Sequence, residues 1–299
     1  MHALPKKNNY DKIKNDLKQN KIVFTGEDVM ILSNRKSEPF TTTAQPFRCG
    51  YTEYAPCEAL RPMIRCFWTS MEQAGRLIIP DLCADIIFDL AGQNVCFSGV
   101  SDRPFVSGRT EESFGIRFYA WTAELFAEDS LRGTLNGGFE IGEHFHRIER
   151  ELLPQIIEAG TTAQRIVLSE RFLLRHLRER HNRLYDEAVG ELMKTRGVCT
   201  VGELSKELHI SVRQLERTFL EYSGLSPKKT AALIRYQCIW QEILFGRTFN
   251  MADKVLEYGY TDQSHLLNDF RRFHTMYPEQ ARKNALKDVA FLQDNAHSL

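Results

Sequence analysis

The sequence predicts an α+β protein, with a β-rich N-terminal domain followed by an all-α C-terminal domain. Three observations predict this class. Between residues 46 and 150, short β-type runs (RLIIP, ADIIFDL, NVCFSGV, FGIRFYA, GFEIG) alternate with Gly, Pro, Asp and Asn. From about residue 152 those runs stop and apolar residues recur at helical intervals. Finally, SVRQLERTF (211–219) and TDQSHLLNDF (261–270) each place a Leu and a Phe four residues apart, so one helical seam occurs twice.

In chain order, residues 1–45 read as a polar leader with one short helix on Tyr10, Ile13 and Leu17, then a strand-like VMIL. Residues 46–150 read as a β-rich sensor or effector domain, a small barrel or sandwich. LRPMIRCFWTS (60–70) is expected to be a helix in it, because Leu60, Ile64, Phe67 and Trp68 fall at helical intervals. Residues 151–182 are linker helices. In AQRIVLSERFLLRHLRERHNRL, Ile166, Leu173, Leu177 and Leu184 form an amphipathic stripe with basic outer positions. That stripe packs on its own domain or on a second subunit, and a homodimer is expected. Residues 183–287 read as consecutive helices, and 288–299 as a tail.

A chain of 299 residues accommodates two domains, and 42% hydrophobic with 26% charged residues is ordinary for a globular protein. The beginning has charge but no apolar core for a secretory signal, and no run is long enough to cross a membrane. A cytoplasmic location is expected. The seven cysteines include no CxxC pair, which argues against a zinc cluster or a disulfide framework. Cys49, Cys57, Cys66, Cys83 and Cys96 cluster in the first domain, where ordinary reduced thiols are expected over a thiol sensor. Net charge is zero, so any polyanion-binding surface is local, as in the Arg-rich segment 165–180.

CTVGELSKELHISVRQLERTFLEYSGLSP (199–227) carries the sharpest signal. Thr200 caps one helix, with Glu203 as capping-box partner and Val201, Leu204 and Leu208 as its apolar side. HIS forms a turn and Ser211 caps a second helix. On this helix Leu215, Phe219 and Tyr222 form one stripe, while Arg213, Gln214 and Arg217 fan out opposite with Glu216 beside them. Two short helices joined by a tight turn, the second showing long polar side chains near its start, form a helix-turn-helix. Its second helix fits the major groove, where Arg reads guanine and Gln reads adenine.

MADKVLEYGYTDQSHLLNDFRRFHTMYP (251–278) repeats the pattern, with Asp262 as cap and Leu266, Phe270 and Phe273 inward. Ser264, Asn268 and Arg271 point away from the seam, with His265 alongside. Between the units, Pro227 to Phe245 reads as one helix about 28 Å long. Such a strut matches the recurrence of the major groove, about 34 Å, on one face of DNA.

These residues resemble the AraC/XylS family of bacterial transcription regulators. The resemblance is carried by Ser211, Leu215, Arg217 and Phe219, by GLSP at 224–227, and by Arg235. Gly259-Tyr260, DQSH at 262–265, Phe270 and Pro278 carry it in the second unit. It covers roughly residues 183–285. It implies a tandem helix-turn-helix domain contacting double-stranded DNA through Arg213, Glu216 and Arg217, then Gln263, Ser264, His265 and Asn268, with Gln214 added from the helix geometry. Residues 47–145 resemble, more weakly, the cupin-like sensor half of some members, through Tyr54, Pro56, Phe67-Trp68, IIPD (78–81), DIIF (85–88) and FGIRF (114–118). Family members usually carry Arg at 268 and Gly at 275, where this chain has Asn268 and Thr275. The first unit is therefore expected to dominate sequence selection.

The rival reading is an enzyme or metal-binding cupin-like protein with an appended DNA-binding domain. Asp81, Asp85, Asp89, His144 and His146 are its candidate ligands, but no histidine lies between residues 3 and 143 to complete a His-rich site. A cysteine methyl-acceptor regulator is disfavoured because no PCHR-type motif occurs. A DNA-binding protein without any ligand fits the sequence as well. The expectation is a regulator with no catalytic residues, metal or cofactor, modulated by a small effector or by dimerisation, and touching RNA polymerase if it activates.

Overall fold

The computed structural model describes Ala44 and residues 50–71, 75–108, 111–178, 182–246 and 249–286. The expected leader helix and VMIL strand lie outside these residues. Among the described residues, the N-terminal part is an antiparallel sheet of six strands in the order β1-β2-β7-β4-β5-β8, with a separate pair, β3-β6. The strands are β1 (Tyr51–Tyr54), β2 (Ile64–Met71), β3 (Arg76–Ile78), β4 (Cys83–Asp89), β5 (Asn94–Ser98), β6 (Phe105–Ser107), β7 (Glu112–Tyr119) and β8 (Gly138–Glu140). All five β-type runs of the sequence fall on strands.

The segment expected to be a helix over 60–70 is instead a turn followed by β2, paired with β1 and β7. The reason is two-sided burial. Phe67 enters the main core while Cys66 and Trp68 pack on the opposite face, so no polar alternation marks the strand. Sheet pairing then outweighs a helical spacing that four large residues create by coincidence.

One face of the sheet is apolar. Phe114, Ile116 and Phe118 of β7, with Ile86 and Phe88 of β4 and Val95 and Phe97 of β5, are all buried in it. Phe118 meets Phe126 at 5.2 Å and Phe97 meets Phe145 at 4.9 Å, ring to ring. Helices α1 (Leu153–Glu158) and α2 (Thr162–His176) add Ile156, Ile166 and Leu173 to the same core. The amphipathic face of α2 is thus filled from within the chain. The stripe expected to run on to Leu184 does not continue as one helix: α2 ends at His176, where Leu177 turns to an extended ψ.

The other face is charged. The Arg117 guanidinium donates to both oxygens of Asp85, at 2.9 and 3.2 Å, and Trp68 Nε1 donates to Asp85 Oδ1 at 2.8 Å. Arg65 pairs with Glu53 at 3.2 Å, and Arg76 of β3 lies 4.2 Å over the Tyr51 ring. Burial opposes the charge on Glu53, yet Arg65 and Arg117 hold its carboxyl below the ordinary value.

Gly115 makes this face possible. In register it sits between Trp68 and Ile87, and a Cβ there would lie 2.0 Å from the indole. The missing side chain lets Trp68 lie across β7 to reach Asp85. Gly115→Ala is expected to cost about 1–3 kcal/mol by overpacking. Urea denaturation checks this, and an unchanged midpoint would show that the indole moves aside freely.

Candidate nucleic-acid interface

The C-terminal part is seven helices among the described residues: α3 (Arg183–Lys194), α4 (Val201–Glu207), α5 (Val212–Ser223), α6 (Pro227–Phe245), α7 (Met251–Glu257), α8 (Gln263–His274) and α9 (Pro278–Ala285). Each boundary follows from local chemistry. Thr200 and Glu203 form the expected reciprocal capping box at the start of α4. The Ser205 hydroxyl donates to the Ile210 carbonyl at 2.6 Å and pins the turn, in which His209 takes a positive φ of 54°. Ser211 then accepts from the Gln214 backbone N–H and starts α5. GLSP is a complete helix-to-helix joint. Gly224 closes α5 at φ 70°, Leu225 is buried, Ser226 caps α6 and Pro227 takes its first turn.

On α5, Leu215 and Phe219 are fully buried, with Phe219 edge-on to Tyr185 of α3 at 5.0 Å. Arg213, Gln214, Glu216 and Arg217 are all exposed. The second unit repeats this. Asp262 accepts from the His265 backbone N–H at 2.8 Å to start α8, Leu266, Phe270 and Phe273 are buried, and Gln263, Ser264, His265 and Asn268 are exposed. The His265 ring stands edge-on to Tyr260 at 5.2 Å, so it leans on its own turn more than its neighbours do.

Both units are built onto α6, the strut. Arg235 at its middle donates to the Gly197 carbonyl, 2.7 Å away in the turn before the first unit, and lies 5.4 Å over the Tyr260 ring in the second. Gly197 must be glycine: its φ is 74° and a Cβ would meet the Ala231 carbonyl of the strut at 2.2 Å. Beside it, Arg196 pairs with Glu242 of the strut and with Glu257 of α7. Lys254 pairs with both of those acids at 2.5 Å, and Tyr258 donates to Glu242 at 2.9 Å. These groups are partly exposed, so each pair alone is worth little; together they tie both units to one helix. Under the second unit, His274 is 1% exposed, hydrogen-bonded to Tyr236 at 2.8 Å and stacked on Phe270. Burial pushes its imidazole down to about 3, so it is a neutral aromatic core residue at physiological pH.

Of the residues drawn into the rival metal-site reading, His146 bonds Asp129 at the surface at 2.7 Å, while Asp81 and Asp85 belong to the charged sheet face around Arg117. Among the described residues no group of three His, Cys, Asp or Glu is arranged to hold a metal ion. No helix among them is long and apolar enough to cross a membrane. Arg196, Gly197 and Lys254 belong to no motif or periodic pattern in the sequence. Arg196 and Gly197 sit in a turn, and nothing local marks them as the lock between two repeats.

Residues 204–284 match a family model described as a helix-turn-helix domain. The chain carries an AraC-type helix-turn-helix domain. Residues 52–136 match a second model, described as a domain of unknown function, DUF6597, which covers most of the sheet. No curated protein matches the chain.

At the end of α8 the second unit differs from the first. Thr275 takes φ 65°, the left-handed cap that Gly224 provides in the first unit. A β-branched residue there is strained. Thr275→Gly is expected to stabilise the protein by about 1 kcal/mol, read as a raised denaturation midpoint. A lowered midpoint would mean that the threonine side chain makes a compensating contact.

Proposed function

We propose that this chain is a sequence-specific DNA-binding transcription regulator of bacterial type. One observation carries the reading. Two capped helix pairs bury equivalent Leu and Phe seams against one strut and leave their polar faces outward. A packed structural domain has no need to hold Arg213, Gln214, Glu216 and Arg217 rigid and bare on one helix and Gln263, Ser264, His265 and Asn268 on another. A reader of major-groove base edges does.

In this reading α5 is the principal reader. Arg213 and Arg217 address guanine edges or phosphate, Gln214 addresses adenine, and Glu216 accepts from cytosine. α8 enters the next major groove, where Asn268 in place of an arginine removes a guanidinium and shifts preference towards adenine. The strut, 19 residues long and about 28 Å at the helical rise, spaces the two. The N-terminal sheet, taken as a cupin-like sensor over residues 46–150, modulates the reader through a small effector, through homodimerisation, or through both. The setting is cytoplasmic, and RNA polymerase is a partner if the regulator activates. No enzymatic step is assigned to the chain.

Arg217 is exposed, so its removal leaves the fold intact. Arg217→Ala is expected to weaken specific binding by about 1–3 kcal/mol and to relax selectivity at one base pair. Titration against DNA from upstream of its own gene and its neighbours, at two salt concentrations, checks this. Equal, salt-sensitive binding of every fragment by both proteins would reduce the interaction to phosphate attraction and overturn the reading.

A further inference from the structure

The sheet domain reaches the DNA-binding domain through a carboxylate held in a rigid mount. Asp102 follows β5, and Asn136 holds it from both sides. The Asn136 side chain donates to Asp102 Oδ1 at 2.8 Å, and accepts from the Asp102 backbone at 3.0 Å and from Ser101 at 2.9 Å. Asn136 itself takes φ 61°, and Gly99 passes so close to Thr134 that a Cβ would meet its carbonyl at 2.0 Å. The two loops therefore interlock and project one acid.

That acid meets the head of the strut. Lys229, three residues past the Ser226 cap, forms an ion pair with Asp102. Burial alone would raise the Asp102 carboxyl; Lys229 and Asn136, with a further contribution from the charge of Arg272, hold it below its ordinary value. Arg272 is exposed on α8 and stands one turn beyond Asn268, in the row Ser264–Asn268–Arg272. The carboxylate thus pairs with a lysine in the first turn of the strut and feels the positive charge of Arg272, and basic side chains of this kind are what a DNA phosphate takes.

A second tie lies further along the strut. Gln237 is fully buried, and its amide donates to the Pro80 carbonyl of the β3–β4 loop at 2.6 Å. The next residue, Asp81, lies 3.7 Å from Arg117 in the charged face of the sheet, and Leu82 follows at a positive φ of 55°. A bulky residue held in that conformation marks a strained loop. One short loop therefore touches both the charged layer and the strut.

We propose that Asp102 is an intramolecular phosphate mimic: with Gln237 fastening the strut to Pro80, it occupies Lys229 and restrains the DNA-binding domain. DNA must displace it, and a change in the charged face of the sheet is transmitted to the strut through the Pro80–Leu82 loop. This rests on the regulator reading above, and deepens it by naming the contact that is regulated.

The test uses the full chain in four forms: wild type, Asp102→Asn, Gln237→Leu, and Asp129→Asn as a control acid exposed on the sensor half. Each is titrated against one duplex enriched from a random pool by wild type. The latch predicts that Asp102→Asn binds about three- to tenfold more tightly, with a salt slope steeper by about 1. Gln237→Leu, with no change of charge, tightens binding as well, and Asp129→Asn stays within about twofold of wild type. Unchanged binding in either latch variant, or equal tightening by the control, overturns the proposal. Hydrogen exchange without DNA gives a separate readout: amides in residues 228–235 exchange faster in both latch variants. If wild type enriches no duplex at all, the regulator reading fails, and unchanged exchange then overturns the latch by itself.

Discussion

The contact on which the C-terminal half depends is that of Arg235 with the Gly197 carbonyl on one side and the Tyr260 ring on the other. A strut fixes the spacing of α5 and α8 only if neither unit can rotate about it. Burial of Leu215, Phe219, Leu266 and Phe270 supplies the cohesion, but apolar packing is non-directional and tolerates sliding. Arg235 and the neighbouring network of Arg196, Glu242, Lys254 and Glu257 supply direction. Glycine at 197 is the geometric condition for it, because any side chain there would push the turn off the strut.

The helical half was legible in the sequence because its signals are local. Caps at Thr200, Ser211 and Asp262 lie within three residues of the N–H groups they bind, and the seam repeats at i and i+4. Strands β3, β4, β5, β7 and β8 were legible for the same reason; β1 and β6, of four and three residues, are too short to show a period, and β2 reads as a helix. Its residues are buried on both faces, so the period of two that exposes a strand to inspection is absent. The ties between the halves were not legible at all. Asp102 and Lys229 are separated by 127 positions and Gln237 and Pro80 by 157, and a single charge or amide carries no periodicity. The candidate reading residues fall on exposed positions of the two second helices, which is as far as helical geometry alone could place them.

The sheet is unusual in burying charge on one face and hydrocarbon on the other. An ion-pair layer such as Arg117–Asp85 and Arg65–Glu53 contributes little net stability over apolar packing of the same volume. Breaking one partner, however, leaves a buried uncompensated charge. A layer of this kind is stiff while intact and sensitive to any new charge. Through Asp81 and the Pro80 carbonyl it lies within one loop of the strut, so the sheet half and the helical half share a mechanical boundary made of polar contacts.

The measurement that bears most directly on this account is a hydroxyl-radical footprint of the full chain on its enriched duplex. Two units held on one strut of about 28 Å predict two protected segments about one helical turn, 10 base pairs, apart on the same face of the DNA. Protection of a single segment, or of two segments on opposite faces, would contradict the claim that α5 and α8 read successive major grooves together.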